Sequence, residues 1–228
     1  MMNFDRVIHL AQASDGILYV MVVLLLVALT VIIEKAVYLK SVIHRGDAIT
    51  RAVAALRHLD ERQLKEMATR NAKQPHGAVL DVPLRYPDIR DPVRLSELLE
   101  EAVMWQVPRI DARLWILDTI VTLAPLLGLL GTIIGMFNTF QVLGTGNGAP
   151  TQITGGVAEA LVATACGLFI AILGLVFFNS LNNYVRVIIH QMEMIKVMLV
   201  NRLDAPRHPG RETDSDISLR AVRRGAEV

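Results

Sequence analysis

TIVTLAPLLGLLGTIIGMFNTFQVLGTGNGAPTQITGGVA, residues Thr119 to Ala158, runs for 40 positions without one Asp, Glu, Lys or Arg. A second uncharged run of 26 residues spans Ala160 to Val185, and a third of 18 stands near the N-terminus, Gly16 to Ile33. About 20 apolar residues in a helix cross a bilayer, so these runs predict an all-α, polytopic membrane protein with three transmembrane helices. Hydrophobic residues make up 53% of the 228 residues and charged residues 20%, and the mean hydropathy is +0.42.

The runs place the first span at residues 16–39, the second at 119–143 and the third at 153–183. Tyr19 and Tyr38 lie ~28 Å apart along a helix, matching two interfacial aromatic belts. The Gly-rich stretch from Gly144 to Gln152 reads as a short loop. Lys and Arg set the expected orientation. Thirteen fall between Lys40 and Arg113 and eight from Arg186 onward, against Arg6 alone before the first span and none in the Gly144 to Gln152 loop. By the positive-inside rule residues 1–15 and 144–152 face outward, and residues 40–118 and 184–228 face the cytoplasm. The N-terminal run has no small-residue cleavage site and reads as an uncleaved anchor.

Helical spacing does not stop at the membrane edge. Leu181, Tyr184, Val185, Ile188, Met192, Ile195 and Leu199 continue the third helix to about Leu203, roughly 50 residues and ~75 Å. Asp91-Pro92 reads as a cap with proline in the first turn. The pattern then leads through Leu95, Leu98, Leu99 and Ala102 towards the second span, with Pro108 and Pro125 expected to kink or bound it. The Pro- and Asp-rich piece from Pro75 to Pro92 reads as a loop. After Asp204 the tail is polar and aperiodic and is expected to be disordered.

Composition also excludes functions. A net charge of +1 gives no electrostatic footprint for nucleic acid. The single cysteine, Cys166, forbids an internal disulfide framework and reads as a small packing residue. Six histidines (His9, His44, His58, His76, His190, His208) show no metal-ligand spacing. There is no phosphate-binding loop. No cofactor is expected, and with one membrane carboxylate no catalytic set is recognisable, so the chain does not read as an enzyme.

Within the uncharged runs, Glu159 is the only charged side chain between Asp118 and Arg186. A carboxylate in a span costs several kcal/mol unless protonated, paired or hydrated, and it commonly marks an ion path. The alternative is an interfacial carboxylate in the first turns of the third span, tolerated by the helix dipole and headgroup water. Thr132 and Thr164 each lie 11 residues below the outer end of their span, hence at one depth, ~16 Å down. They either line a hydrated path or bond to their own helix backbone at i−4. Gly128, Gly131 and Gly135 on one span, and Ala163, Gly167 and Ala171 on the next, form small-residue faces for close helix packing. Asp118 stands at the cytoplasmic entry of the second span, as a proton exit group or, the preferred reading, an interfacial carboxylate.

Two stretches carry a resemblance. LAPLLGLLGTIIGM, Leu123 to Met136, and EALVATACGLFIAI, Glu159 to Ile172, followed by Asn179, resemble the MotA/TolQ/ExbB proton-channel family. With the first span the likeness covers about Leu18 to Asn183. Three spans match its ExbB/TolQ branch, and Ile32-Ile33-Glu34-Lys35 looks more like ExbB than TolQ. Where the family usually has a proline after Ile-Ala-Ile, Leu173 and Gly174 follow here.

The resemblance implies a homo-oligomer, a pentamer, in the bacterial inner membrane, with the second and third spans around a central pore. It also implies a dimer of a single-span ExbD- or TolR-like partner inside, whose membrane Asp carries the proton. Thr132, Glu159 and Thr164 match the family's functional positions. The output would drive a TonB- or TolA-like protein in outer-membrane transport or envelope maintenance. A non-conducting membrane scaffold that assembles partner proteins is the competing reading, since small-residue faces and long helices suit it equally.

Overall fold

A computed structural model describes residues 16–56, 61–144 and 150–203. These residues form six helices: α1 (Ile17–Ala55), α2 (Glu61–Arg70), α3 (Pro75–Arg85), α4 (Pro92–Asp111), α5 (Leu114–Gly144) and α6 (Pro150–Leu203). Segments Ile17–Ala55, Leu114–Gln141 and Thr154–Arg202 are long and apolar enough to cross a membrane. The expected turn between the second and third spans falls mainly on residues 145–149, and the tail on residues 204–228, both outside the described residues.

Both flanking spans belong to helices much longer than a bilayer requires. α1 has 39 residues and α6 has 54, so each leaves the apolar half as one continuous rod. Along α1 the buried positions Met21, Ala28, Ile32, Leu39, Val42, Ile49 and Val53 keep helical spacing. On α6 Leu181, Val185, Ile188, Met192, Ile195 and Leu199 do the same. These two stripes, with Leu95, Leu99 and Val103 of α4 and Val79 and Leu80 of α3, form one core. In the apolar half the outer faces carry exposed Leu, Val, Ile and Phe, among them Leu126, Ile133, Phe137, Phe169 and Ile172, as lipid or further protein contacts require.

The Pro75 to Pro92 piece is not a loop throughout, because Pro75–Arg85 is helical. Pro75 occupies the first turn, where a missing N–H removes a group that has no helical partner anyway. Pro83 lies near the other end, and burial of Val79, Leu80 and Val82 outweighs the turn signals in between. Asp91 caps α4 as read, its side chain accepting from the Val93 amide at 3.0 Å. Neither Pro108 nor Pro125 ends its helix. The break before the second span falls instead at Ala112-Arg113, where Arg113 adopts φ 70°, a left-handed conformation uncommon outside glycine.

Candidate functional site

α5 and α6 pack antiparallel through their small residues. A Cβ on Gly131 would meet the Ala163 Cβ at 2.8 Å, one on Gly135 the Ala160 Cβ at 2.8 Å, and one on Gly167 the Ala124 carbonyl oxygen at 2.4 Å. A Cβ on Gly128 would meet the Thr164 Cα at 3.0 Å. Ala171 is buried further along the same helix. Gly174, where the family usually has proline nearby, lets Val121 approach: a Cβ there would meet Val121 Cγ2 at 2.9 Å. The small residues are therefore occupied with each other inside one protomer.

This closeness decides the hydrogen bonding of the two threonines. Thr164 Oγ1 donates across the seam to the Gly128 carbonyl at 2.9 Å. In helical geometry that carbonyl also accepts the amide of Thr132, four residues on. Thr132 and Thr164 thus meet at one peptide group, and the register of the glycine contacts puts them at nearly one level. Thr132 Oγ1 itself donates to Leu129 O in its own helix, at 2.7 Å. One threonine bonds locally and the other between helices.

Glu159 does not join them. Five residues separate it from Thr164, which is ~7.5 Å along α6 and about 140° around it. Ala160, Ala163 and Gly167 lie between, so the carboxylate and the hydroxyl flank opposite edges of the seam. Glu159 is half-buried and has no hydrogen-bond or ion-pair partner among the described residues. Asp118 is exposed near the start of α5, its carbonyl accepting from Thr122 Oγ1. Cys166 is a free, half-buried thiol. Among the described residues no cluster of three His, Cys, Asp or Glu could hold a metal ion.

Two polar arrangements escaped sequence reasoning. At the α4–α5 break, Arg113 pairs with Glu34, and the buried Lys35 donates to the Ile110 carbonyl at 3.3 Å while lying 5.5 Å from the Tyr38 ring centre. The adjacent Glu34-Lys35 on an apolar helix was the available signal. The second lies in the polar half. His76 is fully buried and its Nε2 stands 3.0 Å from Gln191 Oε1. The Gln191 amide donates to Asp47 Oδ1 at 2.7 Å and to Ile43 O at 3.3 Å. Burial holds the His76 imidazole below its ordinary value, with the Gln191 hydrogen bond and the Asp47 charge acting against it. No local motif announces this cluster, whose members lie up to 144 residues apart.

The family model described as MotA/TolQ/ExbB proton channel family matches residues 71–194. Biopolymer transport protein ExbB-like 1 of Synechocystis sp. is 31% identical over 171 residues, covering 72% of this chain and 66% of the relative. ExbB-like 3 of the same organism is 31% identical over 157 residues, 68% of this chain and 74% of the relative. Biopolymer transport protein ExbB of Xanthomonas campestris is 37% identical over 86 residues, 37% of this chain and 34% of the relative. The matched part of the chain therefore spans between a third and three quarters of these relatives.

Proposed function

The chain belongs to the MotA/TolQ/ExbB proton channel family, is a membrane protein of its ExbB-like branch, and we propose that it is the channel-forming subunit of an inner-membrane motor. In this reading five copies surround a pore lined by α5 and α6. A dimer of an ExbD/TolR-like single-span protein sits inside and carries the proton on a membrane Asp. The complex uses the proton motive force to energise a TonB- or TolA-like protein for outer-membrane transport or envelope maintenance. The chain itself performs no catalysis. The distribution of Lys and Arg supports an outward N-terminus and a cytoplasmic C-terminus.

The observation that carries the reading is the Thr164–Gly128 bond. It sets two hydroxyl-bearing turns at nearly one level of a seam rich in Gly and Ala, with Glu159, which has no partner among the described residues, nearer the start of α6. Protons enter past Glu159, load the partner's Asp near the threonine level and leave towards the polar half. One charge crossing 100 mV releases about 2.3 kcal/mol, so several protons suffice for a mechanical step. Because Glu159 and Thr164 flank opposite edges of the seam, a route using both passes between neighbouring copies in the ring. Asp118 remains an interfacial carboxylate.

The scaffold reading draws no support from the small-residue faces, since these pack within the protomer. The test is Glu159→Gln, co-expressed with the partner, with proton uptake into proteoliposomes and native mass both measured. Reduced uptake at unchanged mass is expected. Full uptake would remove Glu159 from the path, and full activity in a Thr132→Val, Thr164→Val double variant would favour the scaffold.

A further inference from the structure

The polar half carries a feature that the channel reading does not use. His76 lies in the first turn of α3, and its ring sits against Gly46 of α1: a Cβ on Gly46 would fall 2.6 Å from the ring and 2.2 Å from Gln191 Oε1. The cluster of His76, Gln191 and Asp47 therefore joins three helices at one point, and glycine at residue 46 makes room for it. The hydrogen bonds fix the protons. Gln191 uses its amide nitrogen as donor to Asp47 and Ile43, so its oxygen must accept, and His76 Nε2 must carry the hydrogen. The other ring nitrogen, Nδ1, is then a bare lone pair, and it is buried without a partner among the described residues. Thr50 Oγ1 on α1 and Gln74 Oε1 at the cap of α3 are buried without partners too. This polar contact is incompletely satisfied, which makes it a weak point of the packing.

We propose that His76, Gln191 and Asp47 form a proton-operated latch, which clasps α3 to the α1–α6 pair while the imidazole is neutral and releases it when the imidazole is charged. Protonation turns Nδ1 into a buried donor with no acceptor within hydrogen-bond distance among the described residues, and places a positive charge on a ring with no solvent exposure. Among the described residues Asp47 is the charged group acting on His76. Glu193 of α6 pairs with Lys196, and Asp81 of α3 with Arg85. His44 and Arg45 on α1, Arg186 and His190 on α6 and Lys73 before α3 are exposed. Asp47 is itself exposed and reaches the ring through Gln191, so it softens the penalty without removing it.

The sign follows from linkage. The open state titrates near the ordinary histidine value of 6.5 and the closed state below it. The latch is intact above 6.5 and weakens as pH falls, its opening equilibrium rising up to about tenfold per pH unit until the closed form also protonates. In the orientation proposed above, on which this clause alone rests, the latch reads the compartment into which protons are released.

Hydrogen exchange of the full chain in lipid nanodiscs, corrected for intrinsic rates between pH 8 and 5.5, tests the latch. Protection of α3 amides is expected to fall by up to tenfold per unit below 6.5 while the α5–α6 seam holds. His76→Gln, which keeps a donor for Gln191 and does not titrate, should abolish that dependence. Asp47→Asn, which keeps the acceptor and loses the charge, should extend the dependence to lower pH and enlarge the total loss. Unchanged α3 protection in the wild type, the same pH loss in His76→Gln, or a smaller loss in Asp47→Asn would each overturn the proposal. The channel reading fails separately, since Glu159→Gln without a flux defect would leave the α3 profile as it was.

Discussion

Gly167→Ala tests the α5–α6 seam, because the atoms its new methyl meets cannot turn away. They are the Ala124 carbonyl oxygen at 2.4 Å, the Gly128 Cα at 3.1 Å and the Gly128 nitrogen at 3.2 Å, all backbone. Ordinary contact begins near 3.4 Å, so the helices must part by 3.4 − 2.4, about 1 Å, at this level. Overpacking of this kind costs about 1–3 kcal/mol. The neighbouring Thr164–Gly128 bond spans the same gap, and losing it adds about 0.6 kcal/mol. Alanine's advantage over glycine within a helix returns about 0.5–1 kcal/mol. The net expectation is a loss of about 1–3 kcal/mol. Gly155→Ala is the control, since a Cβ there meets nothing within 4 Å and only the helix-propensity gain applies. Unfolding by sodium dodecyl sulfate titration in mixed micelles should move the two variants in opposite directions. If both shift the same way by similar amounts, the seam is not the close contact described.

Thr164→Val should lower the same unfolding midpoint by the equivalent of about 0.6 kcal/mol, at most about 1.7, whereas Thr132→Val, whose hydroxyl bonds within its own helix, should leave it nearly unmoved; equal effects would contradict the cross-helix bond. At Arg113 both members of the ion pair with Glu34 are more than a third exposed, so the pair contributes little and the left-handed backbone dominates. Arg113→Gly should therefore be more stable than Arg113→Ala by about 1 kcal/mol, and the reverse order would show that φ is not the controlling feature. Lys196 is pushed down by burial, but Glu100 and Glu193 win and raise it above 10.5. Its contribution is present below that value and is lost only in stronger base, so the destabilisation by Glu100→Gln should be constant from pH 6 to 9; a difference that vanishes within that window would refute the assignment.

The three apolar helices were legible because charge is absent over 18, 40 and 26 consecutive residues, a signal no local propensity can mask. The length of α6 was legible for a similar reason, since its apolar spacing runs on to Leu199. α3 was not, because its core face is confined to Val79, Leu80 and Val82, between prolines that read as punctuation. Proline also misplaced the break before α5. Arg113 adopts a conformation that sequence reasoning reserves for glycine, while Pro108 is absorbed in the last turn of α4. At the candidate site, counting residues put Thr132 and Thr164 at one depth. That Thr164 would reach the Gly128 carbonyl, and that Glu159 would face elsewhere, depends on how closely two helices approach and on which edges they share.

The packing of α1 against α6 limits what motion the channel can use. Ile17 and Ala163 both lie against Gly131, Gly46 lies against Gln191, and Arg202 donates to the Ala54 and Leu56 carbonyls at the end of α1. The offsets between partners are nearly equal at all three levels, so the helices run parallel in one register over ~58 Å. Arg202 fixes that register by closing carbonyls that α1 leaves open at its C-terminus. Sliding α6 along α1 would break those bonds and every buried contact between, so a change at the level of Thr164 can reach the polar half only by tilting or rotating the pair as a body. Gln191 is 27 residues beyond Thr164, ~40 Å along the same unbroken helix. α3 meets this rigid pair through His76 as well as through the buried Val79 and Leu80, so a change at His76 acts on that junction while the α1–α6 pair itself stays intact.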